Sequence, residues 1–427
     1  MNEVRFCAWP WLVILAPSMT IWMSFSAVSI ADEPPLPLTL SAALELFRRQ
    51  NLQLVAERFQ VEAVRADQIT ARLFPNPQLS LNGTYLEPQT PKLGDAQFSA
   101  RVDWLIETAG KRTTRTEGAE AAARVEEEHL FDVVRQLTMD VKEAFYSILL
   151  AREHLNLSQE NLRRFDEILR INQIRFQGGG ISEAELIKTR LQKLDYQNDV
   201  ITATLELRTA ENRLKSLLGL PPSQVIDVQG DLGRRPPLPP LPELREQALA
   251  ARPDLKSQQE AVRQLESQLR LAKAQRVPNV TVGVEYDTTG PDYHPALGGG
   301  LSVPLPIFNQ NQGEVLKAQK LLEAAHAQLD LLTQQIGLET EQAYHETTEN
   351  LTLASAFESG LLNDAQETMT IAERAYQKGG TTLLDLLEAE RTFNTTRLNY
   401  AQALFNVQKG FLDLEGAVGT EIEHAAP

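Results

Sequence analysis

Two stretches of this sequence, RFQGGGISEAEL at 175–186 and RAYQKGGTTLLDLLEAE at 374–390, resemble each other and align at a spacing of 200 residues. Three further pairs match at a spacing of 203 residues: Asn51-Leu52 with Asp254-Leu255, Pro75-Asn76 with Pro278-Asn279, and Gly110 with Gly313. Matches in one order at a nearly constant spacing indicate a tandem duplication. We expect repeats at 32–218 and 243–427, joined by a Pro-rich connector at 219–242, because Pro interrupts both helices and strands.

A long helix is predicted before each glycine turn. Residues 111–177 contain no Pro and one Gly, and their apolar positions alternate between spacings of three and four residues, which is the seam of a coiled coil. The glycines end this helix, and Ser or Thr after them can begin the next one. We predict long helices at 111–177 and 313–377 and return helices at 183–218 and 383–415. A helix of about 67 residues is roughly 100 Å long.

Two extended stretches precede each long helix. Each repeat is predicted to begin with a single helix, at 41–73 and at 241–276. Apolar and polar residues then alternate over 78–105 and 279–305, which predicts one β-hairpin in each repeat. Four such strands have the length and the two-faced pattern of tilted membrane-spanning strands, but they cannot close a barrel, so the chain would have to oligomerise. The alternative is a pair of solvent-facing hairpins on a soluble coiled coil.

The composition excludes several classes of function. The chain has 427 residues, one Cys and a formal charge of −16, and its mean hydropathy is −0.27. A single Cys excludes a disulfide framework, and an acidic balance without a Lys/Arg-rich stripe argues against nucleic acid as a partner. Only one apolar stretch is long enough for a membrane helix, so a bundle of such helices is excluded.

That apolar stretch predicts an exported precursor. Arg5 precedes an apolar run over 9–28, and the small residues Ser29 and Ala31 follow it. We expect a signal peptide at 1–31 that is cleaved after Ala31, with a retained membrane anchor as the alternative. Cleavage removes the only Cys, one Arg and one Glu, so the mature chain keeps its acidic charge.

Motifs in both repeats resemble the TolC family of outer-membrane efflux proteins. They are the Pro-Asn step before each hairpin, the two glycine-turn stretches quoted above, IETAGKR at 106–112 and PLPIFNQNQGE at 304–314. The last two motifs most resemble the CzcC-type branch of this family, which serves heavy-metal efflux.

The resemblance implies a mainly α fold with a small β part, in which an α-helical barrel continues a 12-stranded trimeric β-barrel in the outer membrane. It also implies passive conduction of exported substrate from the periplasm to the outside. The implied partners are two further copies of the chain, a periplasmic adaptor protein, an inner-membrane pump of the RND type and outer-membrane lipid.

By motif position, the resemblance places a periplasmic gate at Tyr376, Asp385 and Glu388. Thr381 stands where the best-known family member has a basic residue, which removes one cationic partner for these acids. Three Asp385 carboxylates around a narrow mouth would attract cations and repel one another. The alternative is that Asp385 and Glu388 are solvated residues in the first turns of a helix, where acids suit the helix dipole.

We predict that both glycine turns dock the adaptor, with tight turning of the chain as their other role. The residues concerned are Gly178, Gly179, Gly180, Ile181, Ser182, Gly379, Gly380, Thr381 and Thr382.

Enzyme functions find no support in the sequence. The six His residues show no spacing typical of metal ligands, and neither a phosphate-binding loop nor a nucleophile motif is present. We therefore predict no catalytic residue, no metal ligand and no cofactor, with His129 and His154 on helix surfaces. The remaining alternative is a periplasmic coiled-coil adaptor or structural interaction protein, which would carry a lipoyl-like β domain that this sequence lacks.

Overall fold

The computed structural model describes residues 35–85, 96–289 and 294–422. The first repeat contains β1 (Leu36–Leu38), α1 (Leu40–Gln50), α2 (Leu52–Arg72), β2 (Gln78–Tyr85), β3 (Ala96–Ile106), α3 (Lys111–Gln177) and α4 (Glu183–Leu218). The connector contains β4 (Ile226–Val228). The second repeat contains α5 (Leu241–Ala251), α6 (Pro253–Ala274), β5 (Val280–Thr289), β6 (His294–Ser302), α7 (Gln312–Ala356), a π-helical turn (Phe357–Leu361), α8 (Leu362–Gln377) and α9 (Leu383–Val418). The predicted signal peptide at 1–31 lies outside the described residues.

Two helices stand before each hairpin, where the sequence predicted one helix at 41–73 and one at 241–276. The breaks fall at Asn51 and Arg252, whose ψ angles are 120° and 123°. The Asn51 side chain accepts a hydrogen bond of 2.9 Å from Leu54 N, so it caps α2. Arg252 precedes Pro253, and a residue before Pro disfavours the helical conformation.

The second long helix, predicted as continuous over 313–377, is also interrupted. The π-helical turn at Phe357–Leu361 separates α7 from α8, and Gly360 within it departs from helical angles. Gly costs about 1 kcal/mol relative to Ala inside a helix, and a π turn inserts one extra residue into the helical register. The α3 helix of the first repeat runs without a break through 67 residues.

The four longer strands form one antiparallel sheet that joins the two repeats. Its strand order is β2-β3-β5-β6. In the middle, β3 of the first repeat pairs with β5 of the second, and β2 and β6 lie at the edges. In the central pair, Val102 faces Val284 and Arg101 faces Glu285. The short strands β1 and β4 pair in parallel and connect the N-terminal end of the described chain to the connector.

One face of this sheet is apolar and the other is polar, because side chains alternate along a strand. The apolar face is exposed and carries Leu79, Leu81, Phe98, Val102, Trp104, Val282, Val284, Leu297 and Leu301. The opposite face carries Ser80, Asn82, Arg101, Asp103 and Glu285. An exposed apolar surface of this kind is typical of a site of contact with a membrane or another protein.

The helices pack around α3, which contacts α2, α4, α6 and α9. A buried ion pair of 2.7 Å between Lys142 Nζ and Glu415 Oε2 joins α3 to α9 near the middle of the bundle. At the end that carries the glycine turns, a separate hydrophobic core forms from Phe165, Ile168, Met369, Tyr376, Leu386 and Phe393. Within the described chain, none of the helices combines the length and the apolar character that crossing a membrane requires.

Candidate functional site

Both glycine turns lie at one end of the helix bundle and have closely similar geometry. Gly179 and Gly379 have φ angles of 72° and 74°, in the left-handed region that Gly adopts readily. After each turn a hydroxyl caps the next helix, because Ser182 Oγ accepts from Glu185 N and Thr382 Oγ1 accepts from Asp385 N. The turns are largely exposed, so the structure brings all the predicted docking residues to one accessible end.

Tyr376 is buried in the core of this end and does not face solvent with the other predicted gate residues. Its hydroxyl donates a hydrogen bond of 2.6 Å to Asn172 Oδ1, and Asn172 Nδ2 donates one of 3.0 Å to Thr189 Oγ1. These contacts link α8 to α3 and α3 to α4. Burial raises the pKa of Tyr376, so its hydroxyl stays protonated and acts as a donor.

Arg175, near the C-terminal end of α3, contacts the C-terminal end of α8 beside Tyr376. Its Nη2 atom donates hydrogen bonds of 2.7 Å to Tyr376 O and 3.1 Å to Gln377 O, and its guanidinium carbon lies 4.8 Å from the centre of the Tyr376 ring. A cation suits the C-terminal end of a helix, where the last carbonyl groups have no partner within the helix. Arg175 therefore ties the end of the first long helix to the end of α8.

Asp385 is held in a capping arrangement at the start of α9. One of its carboxylate oxygens, Oδ2, accepts hydrogen bonds from Thr382 Oγ1 at 2.7 Å, Thr381 Oγ1 at 2.8 Å and Thr382 N at 3.1 Å. Hydrogen bonds from Thr382 and Thr381 lower the pKa of Asp385, so the exposed carboxylate stays charged. Thr381 stands where the best-known family member has a basic residue, and its hydroxyl donates a hydrogen bond to the Asp385 carboxylate.

Glu388 lies one turn further along α9 and is exposed. It lines a cavity of about 620 Å³ between α3, α4 and α9, which Asp195, Asp199 and Arg391 also line. Asp385 and Glu388 therefore lie on an accessible acidic surface, whereas Tyr376 points into the protein. The three residues that the sequence grouped as a gate occupy two different environments.

Sequence reasoning missed Glu390, which is fully buried in the same end of the bundle. Neither of its carboxylate oxygens has a hydrogen-bond partner that meets normal geometry. Burial raises the pKa of Glu390 to about 7. The sequence does contain an indication that Glu390 is buried. Glu390 and Asn172 each occupy a position in the three-and-four spacing that otherwise carries apolar residues.

One group of potential metal ligands comes together in the described residues, away from the glycine turns. Glu57 on α2 and Glu126 and His129 on α3 each offer one ligand atom within 4.8 Å of the others. His129 is exposed on the surface of α3, as we expected. Glu126 and His129 stand three residues apart in the sequence, a spacing that places both on one face of α3.

Both repeats of the chain match one known protein family. A family described as "Outer membrane efflux protein" matches residues 43–220 and again residues 244–420. The chain belongs to this outer membrane efflux protein family. The predicted internal duplication is confirmed, because each repeat matches the family separately. The predicted resemblance to outer-membrane efflux proteins is confirmed as well.

Relatives of this efflux channel cover most of its length. The cobalt-zinc-cadmium resistance protein CzcC of Cupriavidus metallidurans is 26% identical over 416 residues, which cover 96% of this chain and 97% of CzcC. The cation efflux system protein CusC of Escherichia coli is 23% identical over 330 residues, covering 72% of this chain and 68% of CusC. The crystal structure of the CmeC outer membrane channel of Campylobacter jejuni has the same fold, with a TM-score of 0.77 at 16% identity, over 91% of this chain and 87% of CmeC.

This protein is therefore an outer-membrane efflux channel of tripartite systems, and it belongs to a family of channels without enzymatic activity. The expected localisation in the outer membrane is confirmed. The adaptor alternative is excluded, because the match covers both repeats of the channel fold.

Proposed function

We propose that three copies of this chain form a channel that conducts heavy-metal cations to the outside of the cell. The observation that carries the proposed assembly is the four-stranded sheet, which has an exposed apolar face and two edge strands, β2 and β6. Edge strands present unpaired N–H and C=O groups, which cannot remain unpaired in lipid. Pairing β2 of one copy with β6 of the next closes a ring of 12 strands.

An apolar seam on α4 supports the same assembly. It consists of exposed residues at coiled-coil spacing: Ile187, Leu191, Leu194, Ile201 and Leu205. A second exposed apolar flank consists of Leu353 on α7, Leu361 in the π-helical turn and Ile371 on α8. Packing the α4 seam of one copy against this flank of the next copy buries both apolar surfaces and continues the ring of strands as a ring of helices.

The gate of this channel is the junction of α3, α8 and α9 around Tyr376. In the described chain the Tyr376 hydroxyl is bonded to Asn172, and Arg175 is bonded to the last carbonyl groups of α8. Opening requires α8 and α9 to move away from α3, which breaks these contacts. Asp385 and Glu388 then form the acidic lining of the mouth, where their charges attract cations.

The adaptor docks on the end that carries the glycine turns. A cleft of about 980 Å³ lies there between the first turns of α4 and α9, and Ile181, Leu383 and Leu384 supply apolar surface to it. Helical or loop segments of a partner commonly use such a groove. The adaptor in turn connects the channel to an inner-membrane pump of the RND type.

The names of two relatives support heavy-metal cations as the substrate. CzcC is a cobalt-zinc-cadmium resistance protein and CusC belongs to a cation efflux system. The formal charge of −16 is compatible with a cation-conducting path.

Deletion of the gene tests this function. We expect a deletion strain to become sensitive to zinc, cobalt and cadmium salts, and the wild-type gene to restore resistance. The protein should migrate as a trimer in outer-membrane fractions and as a monomer after boiling. Unchanged metal resistance would contradict the substrate, and a monomer in unboiled outer membranes would contradict the assembly.

A further inference from the structure

The polar face of the sheet carries one charged cluster whose geometry is well defined. Arg101 on β3 donates from Nε to both carboxylate oxygens of Asp103, each at 2.9 Å, and its Nη1 atom donates to Glu285 Oε2 on β5 at 3.4 Å. The three side chains are 23–38% exposed, so they stand at the surface of the sheet yet cover one another. This polar face is opposite to the apolar face described above.

Two glycines form the floor on which this cluster lies. Gly283 faces Asp103 across the β3–β5 pair, and Gly300 faces Gly283 across the β5–β6 pair. A Cβ atom on Gly283 would clash with the Arg101 guanidinium and the Asp103 carboxylate, and one on Gly300 would lie 3.5 Å from Arg101 Nη2. The guanidinium therefore extends along the wall of the sheet across two neighbouring strands, which lie about 4.8 Å apart.

The cluster does not neutralise itself. Two carboxylates surround one guanidinium, so each chain contributes one net negative charge at this level of the sheet. Arg101 forms bonds to both acids, and this fixes the direction of its side chain because the planar guanidinium suits carboxylate geometry. In a ring of three copies the cluster occurs three times at one height, within walls of low dielectric that strengthen its field.

We propose that Arg101, Asp103 and Glu285 form the ring that sets ion selectivity in the membrane-spanning part of the channel. The two carboxylates favour cations, and the positive charge of Arg101 weakens their field. Because Gly283 and Gly300 have no side chains, the Arg101 side chain lies flat against the sheet and leaves the lumen wide. This inference rests on the proposed function, because the polar face lines the lumen only in the closed ring of three copies. It differs from that function in assigning selectivity to named residues far from the periplasmic gate.

Planar-bilayer recording of the purified full-length mature protein tests this inference through the reversal potential in a KCl gradient. We expect wild type to prefer cations, Arg101→Gln to shift the reversal potential further toward the cation value, and the double variant Asp103→Asn/Glu285→Gln to shift it toward the anion value. Gly283→Ala keeps every charge but lifts Arg101 off the floor, so it should lower the conductance.

The matched control is the double variant Arg72→Gln/Glu120→Gln, which removes an exposed ion pair between α2 and α3 and should leave the reversal potential unchanged. A gel without boiling establishes that each variant still forms the wild-type assembly. Conducting variants of the cluster with the wild-type reversal potential would overturn this inference and leave the channel intact. Wild-type protein without any conductance would instead overturn the proposed function, and the selectivity ring with it.

Discussion

The Tyr376 hydroxyl lies 2.6 Å from Asn172 Oδ1 and donates a hydrogen bond to it in the buried core beneath the glycine turns. This bond joins the two repeats, because Asn172 belongs to α3 and Tyr376 to α8. Both side chains are buried, so water cannot replace either partner without a movement of the helices. This hydrogen bond therefore holds α8 on α3 at the end of the bundle where we propose the gate.

Tyr376→Phe should favour the open channel. The variant leaves the buried Asn172 Oδ1 without a donor, which costs the closed state about 1–3 kcal/mol. In single-channel recordings we expect a larger fraction of time at high conductance than for wild type. Tyr400→Phe is the control, because it removes a hydroxyl bonded to Glu358 at 2.9 Å in an exposed position. Equal open fractions in both variants would contradict this role of Tyr376.

Arg175→Gln should loosen the end of α8. The substitution removes the cation that bonds Tyr376 O and Gln377 O, so these carbonyl groups lose their partner. We expect amide hydrogen exchange to become faster in 370–380 and to stay unchanged at the ends of α5 and α6. Arg170→Gln, which removes an exposed pair with Glu167, should have no such effect. Identical exchange in both variants would refute the tie between α3 and α8.

Glu390 should make the stability of the gate end depend on pH. Burial raises its pKa from 4.5 to about 7, so between these values the folded state keeps a proton that the unfolded state releases. The free energy of unfolding therefore falls as pH rises through this window, by about 3 kcal/mol in total. Below pH 4.5 both states are protonated, and this contribution no longer changes.

Glu390→Gln should remove this slope and raise the denaturation midpoint at pH 8 relative to wild type, with little change at pH 4. The control is Glu388→Gln, which alters an exposed carboxylate two residues away. Urea denaturation of the purified protein, followed by circular dichroism in the presence of EDTA, measures the effect. A wild-type slope that persists in Glu390→Gln would mean that another group is responsible.

Glu415→Gln should destabilise the middle of the bundle. Lys142 is 6% exposed and Glu415 2% exposed in the pair that they form, so the variant leaves a buried ammonium group without its main partner. Loss of one partner of a buried pair costs about 3–5 kcal/mol. Glu421 also lies 3.1 Å from Lys142 but is exposed, and Glu421→Gln should cost much less. Thermal unfolding that ranks the two variants in the opposite order would contradict the assignment.

Gly379→Pro should abolish adaptor-dependent efflux while the assembly remains in the outer membrane. Pro requires a φ angle near −65°, whereas Gly379 has 74°, so the turn has to change shape. Gly313→Ala is the control, because a Cβ atom there meets no atom within 4 Å and the backbone is not left-handed. Metal resistance at the wild-type level in Gly379→Pro would remove this turn from the docking site.

Periodicity predicted the long elements of the fold, because spacing of apolar residues is a local property of the sequence. Apolar spacing did not reveal the break at Asn51, where the side chain caps α2 and its Nδ2 atom also donates a hydrogen bond of 2.8 Å to Leu217 O, 166 residues away. The interruption at Gly360 had a local signal in the helix cost of Gly, but a single Gly in α3 (Gly118) causes no break. A Cβ atom on Gly118 would lie 3.6 Å from Ser267, whereas one on Gly360 would meet no atom within 4 Å, so the surroundings of the two glycines differ in a way that the local sequence does not show.

The candidate site was predicted only in part for a similar reason. Motif positions predicted Tyr376, Asp385 and Glu388 as gate residues, and the glycine turns follow from local backbone requirements. The partners of Tyr376 lie about 200 residues away in sequence, at Asn172 and Arg175, so only the folded chain reveals them. Glu390 illustrates the opposite case, since a carboxylate in an apolar seam is visible in the sequence but its burial is not.

The conductance of the purified protein in planar bilayers, compared between wild type and the double variant Tyr376→Phe/Arg175→Gln, is the most direct test of the proposed gate. We expect wild type to be a trimer that conducts weakly, because in the proposed gate the junction around Tyr376 closes the periplasmic end. The double variant should conduct several times more at the same voltage and keep the same preference for cations. Equal conductance in the two forms would contradict the gate, and the absence of channels in both would contradict the proposed assembly.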